Sequence, residues 1–92
     1  MKYVYYGTMD PMWATRTEER WKIVAPKLAE LGIAIEALYY TQGEFDFIEI
    51  VECDDPQSVL AYSIWMAKEG IARTRTMPAF AKEDFDGACA LV

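Results

Sequence analysis

Ninety-two residues with a formal net charge of −6, 53% of them apolar and 14% aromatic, suit a single small domain over residues 1–92, of a size at which folding buries about 60–65% of the unfolded surface. The absence of histidine removes imidazole metal sites, Ser–His and Cys–His nucleophile pairs and histidine acid–base chemistry. The nine Lys and Arg residues are scattered, which argues against a nucleic-acid footprint, since that needs clustered basic side chains.

The opening MKYVYYG lacks the apolar core of a signal peptide, and no run approaches a membrane span, so the expected location is cytoplasmic. Lys2 to Gly7, β-branched and aromatic, reads as strand one. The following loop, Thr8 to Ala14, carries the large apolar residues Met12 and Trp13. Thr15-Arg16-Thr17-Glu18 has the form of a capping box. Trp21, Val24, Ala25, Leu28 and Leu31 then recur at helical spacing up to Gly32, with a bend expected at Pro26, which deletes a hydrogen bond to the Lys22 carbonyl. Ile33 to Thr41 reads as strand two, Gln42-Gly43 as its turn and Phe45 to Glu52 as strand three. Asp54-Asp55-Pro56 is a strong helix start, with a capping carboxylate and proline at the first helical position. Leu60, Ile64 and Ala67 give the second helix its expected buried stripe, with Val59, Ser63 and Met66 beside it. Gly70 stops that helix, and Ile71 to Met77 reads as strand four, with Pro78 confined to a strand end or edge. Phe85, Ala88, Cys89 and Val92 predict a short C-terminal amphipathic turn or helix.

The order β-α-β-β-α-β is that of a ferredoxin-like α+β sandwich. It predicts strands one and three as a parallel central pair, strands two and four at the edges, and both helices on one face. The other face has no covering layer. Two sheets packed face to face would close it, giving a dimeric α+β barrel and using aromatic residues in excess of what one small core hides.

Gly43-Glu44-Phe45-Asp46, followed by the strand Phe47 to Glu52, resembles the motif of the GYD-domain family, with Phe45 where that family typically has Tyr. Gly70-Ile71-Ala72-Arg73-Thr74-Arg75-Thr76, ending in Ala79-Phe80, resembles the same family's G-x-x-R-T-x-T strand and following aromatic. The likeness covers roughly residues 20–86. It implies a small ferredoxin-like oligomer of unassigned activity and brings no catalytic residue to transfer.

The residues themselves supply candidate sites. Gly43 is expected at a positive φ in a hairpin turn, and Asp46 is expected to accept backbone amides of that turn or of the neighbouring strand. Cys53 and Cys89, far apart and without a CxxC spacing, are expected to be inert thiols, Cys53 because Glu52, Asp54 and Asp55 surround it. Arg73 and Arg75 alternate in period two and share a face. Glu36 and Glu49 are expected on that same open face, together with Tyr3, Tyr5, Phe47 and Val51, as an aromatic-walled cavity for a small anionic or carbonyl-bearing ligand. The rival reading makes these charges ion pairs across a dimer interface or a solvated sheet edge. Trp13 is expected near Cys53 to Asp55, as a lid over the pocket mouth or as an apolar plug on the first helix. No cofactor or metal is expected, and no nucleic-acid or membrane partner. Three classes stay open at this point: a small-molecule-binding or assembly module built as a homo-oligomer, a cofactor-free isomerase, oxygenase or decarboxylase, and a ligand-sensing subunit.

Overall fold

The computed structural model describes all 92 residues. Its elements are β1 (Lys2–Met9), a 3-10 turn (Pro11–Trp13), α1 (Thr17–Leu31), β2 (Ala34–Tyr40), β3 (Phe47–Glu52), α2 (Pro56–Lys68), β4 (Ala72–Ala79) and α3 (Lys82–Cys89). The fold is α+β and ferredoxin-like, the class of the dimeric α+β barrels, with the sheet in the order β2-β3-β1-β4. Strands one and three are central as expected, but they pair antiparallel. The reason is topological. β2 and β3 also pair antiparallel, so β2, reached from β1 by the α1 crossover, runs parallel to β1 with β3 reversed between them.

That reversal moves the loop after β1 to the end of the sheet opposite Cys53–Asp55. Asp10 N–H donates to the Ile71 carbonyl at 2.8 Å, whereas the amino terminus reaches the Cys53 carbonyl at the other end at 3.2 Å. Trp13 is therefore no lid near Cys53. It is buried against the core, with the Arg16 guanidinium 4.5 Å from its ring centre, and it plugs the start of α1.

The helix starts divide in the same way. Asp55 caps α2 by accepting the Gln57 amide at 2.9 Å, ahead of Pro56. The Thr15–Glu18 box does not form. Burying Trp13 carries the chain through a further turn, with Arg16 N–H bonded to the Trp13 carbonyl at 3.1 Å, so α1 begins at Thr17 with Arg16 as an uncapped first residue. The helix continues through Pro26 and ends at Gly32.

The core lies between the sheet and the two long helices. Val24 and Leu28 come from α1, Val59, Tyr62 and Met66 from α2, and Tyr5, Phe47, Val51 and Ala72 from the strands. Tyr5 meets Tyr62 edge to face at 5.2 Å between ring centres and donates its hydroxyl to the Val59 carbonyl at 2.6 Å. Because Tyr62 occupies this stripe, α2 turns Leu60 and Ile64 outward, 61% and 59% exposed, against the stripe expected from spacing. The two tyrosines bury large rings whose edge-to-face contact adds roughly 0.5–1.5 kcal/mol to their area burial.

Two glycines shape the end of the sheet that carries the groove described below. Gly43, at φ 122°, makes the β2–β3 connection in a region nearly closed to other residues. Gly7 has an ordinary φ, but a Cβ there would stand 2.0 Å from the Arg73 carbonyl oxygen on β4. Gly7→Ala is accordingly expected to destabilise by about 1–3 kcal/mol through overpacking against backbone, read as a lower urea midpoint. An unchanged midpoint would mean β4 moves away at no cost.

The sheet face turned away from the helices is uncovered. Val4 lies opposite Ile50 and Met77, Tyr6 opposite Ile48 and Arg75, and Tyr39 opposite Ile48. α3 buries none of its residues. The accessible surface of 6220 Å² exceeds by roughly 800 Å² what a compact monomer of this mass exposes. The radius of gyration of 14.4 Å compares with about 12 Å for a compact chain of this length.

Candidate functional site

The alternation of β3 sets the site. Phe47, Glu49 and Val51 point to the helices and are buried, leaving Ile48, Ile50 and Glu52 on the open side. The expected face was the reverse. Tyr3 and Tyr5 also pack toward the helical core, while Arg73 and Arg75 stand on the open face, since Thr74 between them bonds Ser63 of α2 at 2.7 Å. Glu36 sits at the β2 irregularity and pairs with Lys2 on the surface. The sheet thus separates Arg73 and Arg75 from Tyr3, Tyr5, Phe47 and Glu49. The physical reason is that each face of β3 carries two large apolar residues and one Glu, so alternation alone cannot choose between them, and a one-residue phase change exchanges the faces. Arg73 and Arg75 border a shallow hollow of about 330 Å³ with Thr8, Glu44 and Phe45.

The groups brought together instead are Arg20, Tyr40, Glu49 and Tyr62. Arg20 lies on the buried side of α1 and is only 5% exposed. Its guanidinium donates to the Trp13 carbonyl at 3.0 Å, to the Tyr40 hydroxyl at 2.7 Å and to the Met9 sulfur at 2.8 Å. All three acceptors are neutral, and Arg20 makes no ion pair. Glu49, 4% exposed, has a carboxylate oxygen without any hydrogen-bond partner, and the buried Tyr62 hydroxyl also lacks one.

Both charges line one cavity of about 20 Å³, walled by Trp21, Val24, Leu38, Phe47 and Met66, which Tyr62 also borders. That volume admits about one water-sized group. Burial pushes the Glu49 carboxyl up to about 7, with the Arg20 charge pulling the other way. Burial likewise pushes the Tyr62 phenol upward, so it is a hydroxyl donor at neutral pH.

The cavity adjoins a groove of about 570 Å³ formed by Pro11, Ala14, Thr17 and Asp46, with Met9, Arg20 and Tyr40 common to both. This volume is within the range of small-molecule sites. Asp46 fixes the groove wall by accepting the Met9 amide at 2.8 Å and donating its own N–H to the Gly7 carbonyl at 2.8 Å. This is the amide-accepting role on a neighbouring strand expected of it.

Arg20, Tyr40 and Tyr62 were absent from the sequence candidates. A signal existed: Arg20 falls four and eight residues before Val24 and Leu28, placing a cation on the apolar stripe of α1. Tyr62 in step with Val59 and Met66 is the corresponding sign on α2. No group of three or more His, Cys, Asp or Glu side chains comes together. Cys53 is buried and Cys89 exposed, both as free thiols. No helix is long and apolar enough to cross a membrane.

Similarity to known proteins extends over most of the chain. The model for the GYD domain matches residues 8–89. A protein of Thermus thermophilus described as "Glutamine synthetase and cystathionine beta-lyase binding protein" is 30% identical over 70 residues, covering 75% of this chain and 74% of that protein. Among solved structures, 5-chloro-2-hydroxyhydroquinone dehydrochlorinase from Burkholderia phenoliruptrix AC1100, in complex with 2,5-dihydroxybenzoquinone, superposes with a TM-score of 0.61 at 14% identity, covering 91% of this chain and 98% of that one. This likeness is one of fold.

Proposed function

We propose that this chain, which belongs to the GYD domain family, is a homodimeric domain that binds a small carbonyl- or carboxylate-bearing molecule, its oxygen held by Arg20 and Tyr62 in the cavity they share with Glu49. The observation that carries the reading is a buried guanidinium and a buried carboxyl on one cavity without contact between them. A buried charge lacking its counter-charge costs several kcal/mol, and the cost is offset if the gap receives a ligand oxygen. At neutral pH Arg20, the Tyr62 hydroxyl and the protonated fraction of Glu49 all donate, which suits an acceptor oxygen. The body of the ligand lies in the groove beside Tyr40.

The ligand of the solved neighbour, a planar ring with carbonyl and hydroxyl oxygens, makes 2,5-dihydroxybenzoquinone a sensible first probe, with benzoate as a carboxylate. Wild type is expected to bind at least one of them with Kd below about 1 mM, roughly −4 kcal/mol, with NMR shifts centred on Met9, Arg20 and Tyr40. Arg20→Met, verified as folded by circular dichroism, should weaken binding tenfold or more. Shifts confined to Arg73 and Arg75 would move the site to the open face, and equal binding by both proteins would remove Arg20 from it.

A second reading, docking on another protein, is favoured by Leu60 and Ile64, adjacent on the outer face of α2 and each more than half exposed. The Thermus relative is described as a binding protein for two enzymes, which makes glutamine synthetase the partner to try. Co-elution abolished by Leu60→Asp would support docking through this face, whereas no complex with wild type would refute it for that partner.

A further inference from the structure

We propose that the Arg20–Glu49–Tyr62 cavity is catalytic: it takes a small enolisable carbonyl compound and moves a proton at the carbon next to the carbonyl, with Glu49 as base and Arg20 and Tyr62 as donors to the oxygen. The inference rests on the ligand-site reading above and adds a reaction to it.

The three groups divide the work by type. Arg20 stays cationic and directs its guanidinium at neutral acceptors only, so its charge is not already neutralised by a carboxylate. Tyr62 holds an uncommitted hydroxyl, and Glu49 an uncommitted carboxylate oxygen, at the same cavity. In the forward step the Glu49 carboxylate takes the proton from carbon. The C–H electron pair becomes the new C=C bond, and the carbonyl π pair becomes an enolate oxygen facing Arg20 and Tyr62. Returning the proton to oxygen gives the enol, and returning it to carbon restores the ketone. Atoms and electrons balance with no oxidant, reductant or cofactor.

The surroundings favour the step. Donors aimed at the developing oxyanion in a site walled by Val24, Leu38, Phe47 and Met66 act in low dielectric, where they count for more than in water. A base titrating near the working pH combines a useful ionised fraction with basicity, and burial holds Glu49 at about 7. The cavity admits only the carbonyl end, so the remainder of the substrate occupies the groove beside Tyr40 and Thr17. Small α-keto acids and planar cyclic ketones fit both the size and the polarity.

The test uses the full chain in D2O with phenylpyruvate, following loss of the proton signal beside the carbonyl by NMR. Benzoylformate, which has no such proton, reports binding alone. Wild type is expected to accelerate exchange at least 100-fold over buffer, within the usual range for a positioned base. Its rate should rise as Glu49 ionises with increasing pH, levelling above about 8. Glu49→Gln, verified as folded by circular dichroism, should return exchange to the buffer rate. Benzoylformate binding without accelerated phenylpyruvate exchange would overturn the catalytic proposal and leave the binding site standing. No binding of either compound would overturn both. Exchange undiminished in Glu49→Gln would overturn the role of Glu49.

Discussion

Glu49→Gln is expected to be more stable than wild type by about 3 kcal/mol at pH 8 and to lose that advantage on acidification. The carboxyl rises from its ordinary value of 4.5 to about 7 in the folded protein, chiefly through burial, with Arg20 opposing. A raised value means that the folded state holds its proton more tightly than the unfolded chain. Below pH 4.5 both states are protonated, and the stabilisation linked to that proton is fully present. As pH climbs from 4.5 to about 7 the unfolded chain releases the proton while the folded chain keeps it, so stability falls. Above about 7 both are ionised, and the full penalty of a buried carboxylate remains. The difference of about 2.5 in pKa corresponds to about 3 kcal/mol.

Other groups titrate over part of the same range. Glu52 and Glu19 are exposed carboxyls held low, Glu52 by its hydrogen bond to the amino terminus and Glu19 by its hydrogen bond to Arg16, and they act in the opposite direction. They are common to both proteins, so the wild-type-minus-variant difference isolates Glu49. Arg20, Tyr62 and Tyr5 are the other ionisable groups coupled to it, and the phenols stay neutral throughout. Urea unfolding at pH 4, 6 and 8 gives the measurement. A difference that does not grow with pH would show that the fold leaves the Glu49 carboxyl at its ordinary value.

A residue that costs this much in the interior, beside an Arg it does not touch, is the signature of a position kept for something other than stability. Tyr5 provides the contrast within the same core. It is equally buried, but its hydroxyl reaches the Val59 carbonyl, so its polar atom is satisfied and structural. Tyr62 packs against Tyr5 and Trp65, and its hydroxyl has no partner. Two tyrosines in edge-to-face contact thus differ in their polar ends, and only Tyr62 keeps an uncommitted hydroxyl at the cavity.

Local punctuation was legible in the sequence. Asp55-Pro56 and Gly70 bracket α2 because caps and stops depend on a few adjacent residues. The placement of β1 and β3 at the centre followed from the order of elements alone. What could not be read was the phase of β3, where Phe47 and Val51 flank a Glu on one face and Ile48 and Ile50 adjoin another Glu on the other. Nor could spacing show that Tyr62 would displace Leu60 and Ile64 from the α2 core stripe, because that choice depends on Tyr5 across the interface. Glu49 was expected on the open face with Arg73 and Arg75 for the same reason, whereas the fold buries it on the helix side, where it lines one cavity with Arg20.

The wild-type protein is expected to be a dimer at micromolar concentration, and Ile48→Glu to convert it to a folded monomer. Ile48 lies at the centre of the uncovered face, opposite Tyr6 on β1 and Tyr39 on β2. Four strands at about 4.8 Å spacing, each some 20 Å long, present a plane of only roughly 400 Å², so the contact has to extend past the strands to reach the roughly 800 Å² per partner of a standard interface. The surface excess over a compact monomer has the same size. Charge placement also suits a second copy. Arg73 and Arg75 lie toward one end of β4, while Glu36 and Glu52 lie near the diagonally opposite corner, where Lys2 partly neutralises them. A two-fold axis running diagonally across the sheet would bring each basic corner onto the other copy's acidic one, which is the self-complementarity that an isologous contact requires. Burying a carboxylate at position 48 without a partner should cost about 3 kcal/mol or more, raising the dimer Kd by at least roughly 100-fold. The helix-facing core does not include Ile48, so the variant should keep its circular dichroism spectrum and cooperative unfolding. Light scattering across a dilution series reads the outcome. A monomeric wild type at micromolar concentration would refute the assembly, and a variant that remains dimeric would place the interface elsewhere, with the exposed α3 as the next surface to mutate.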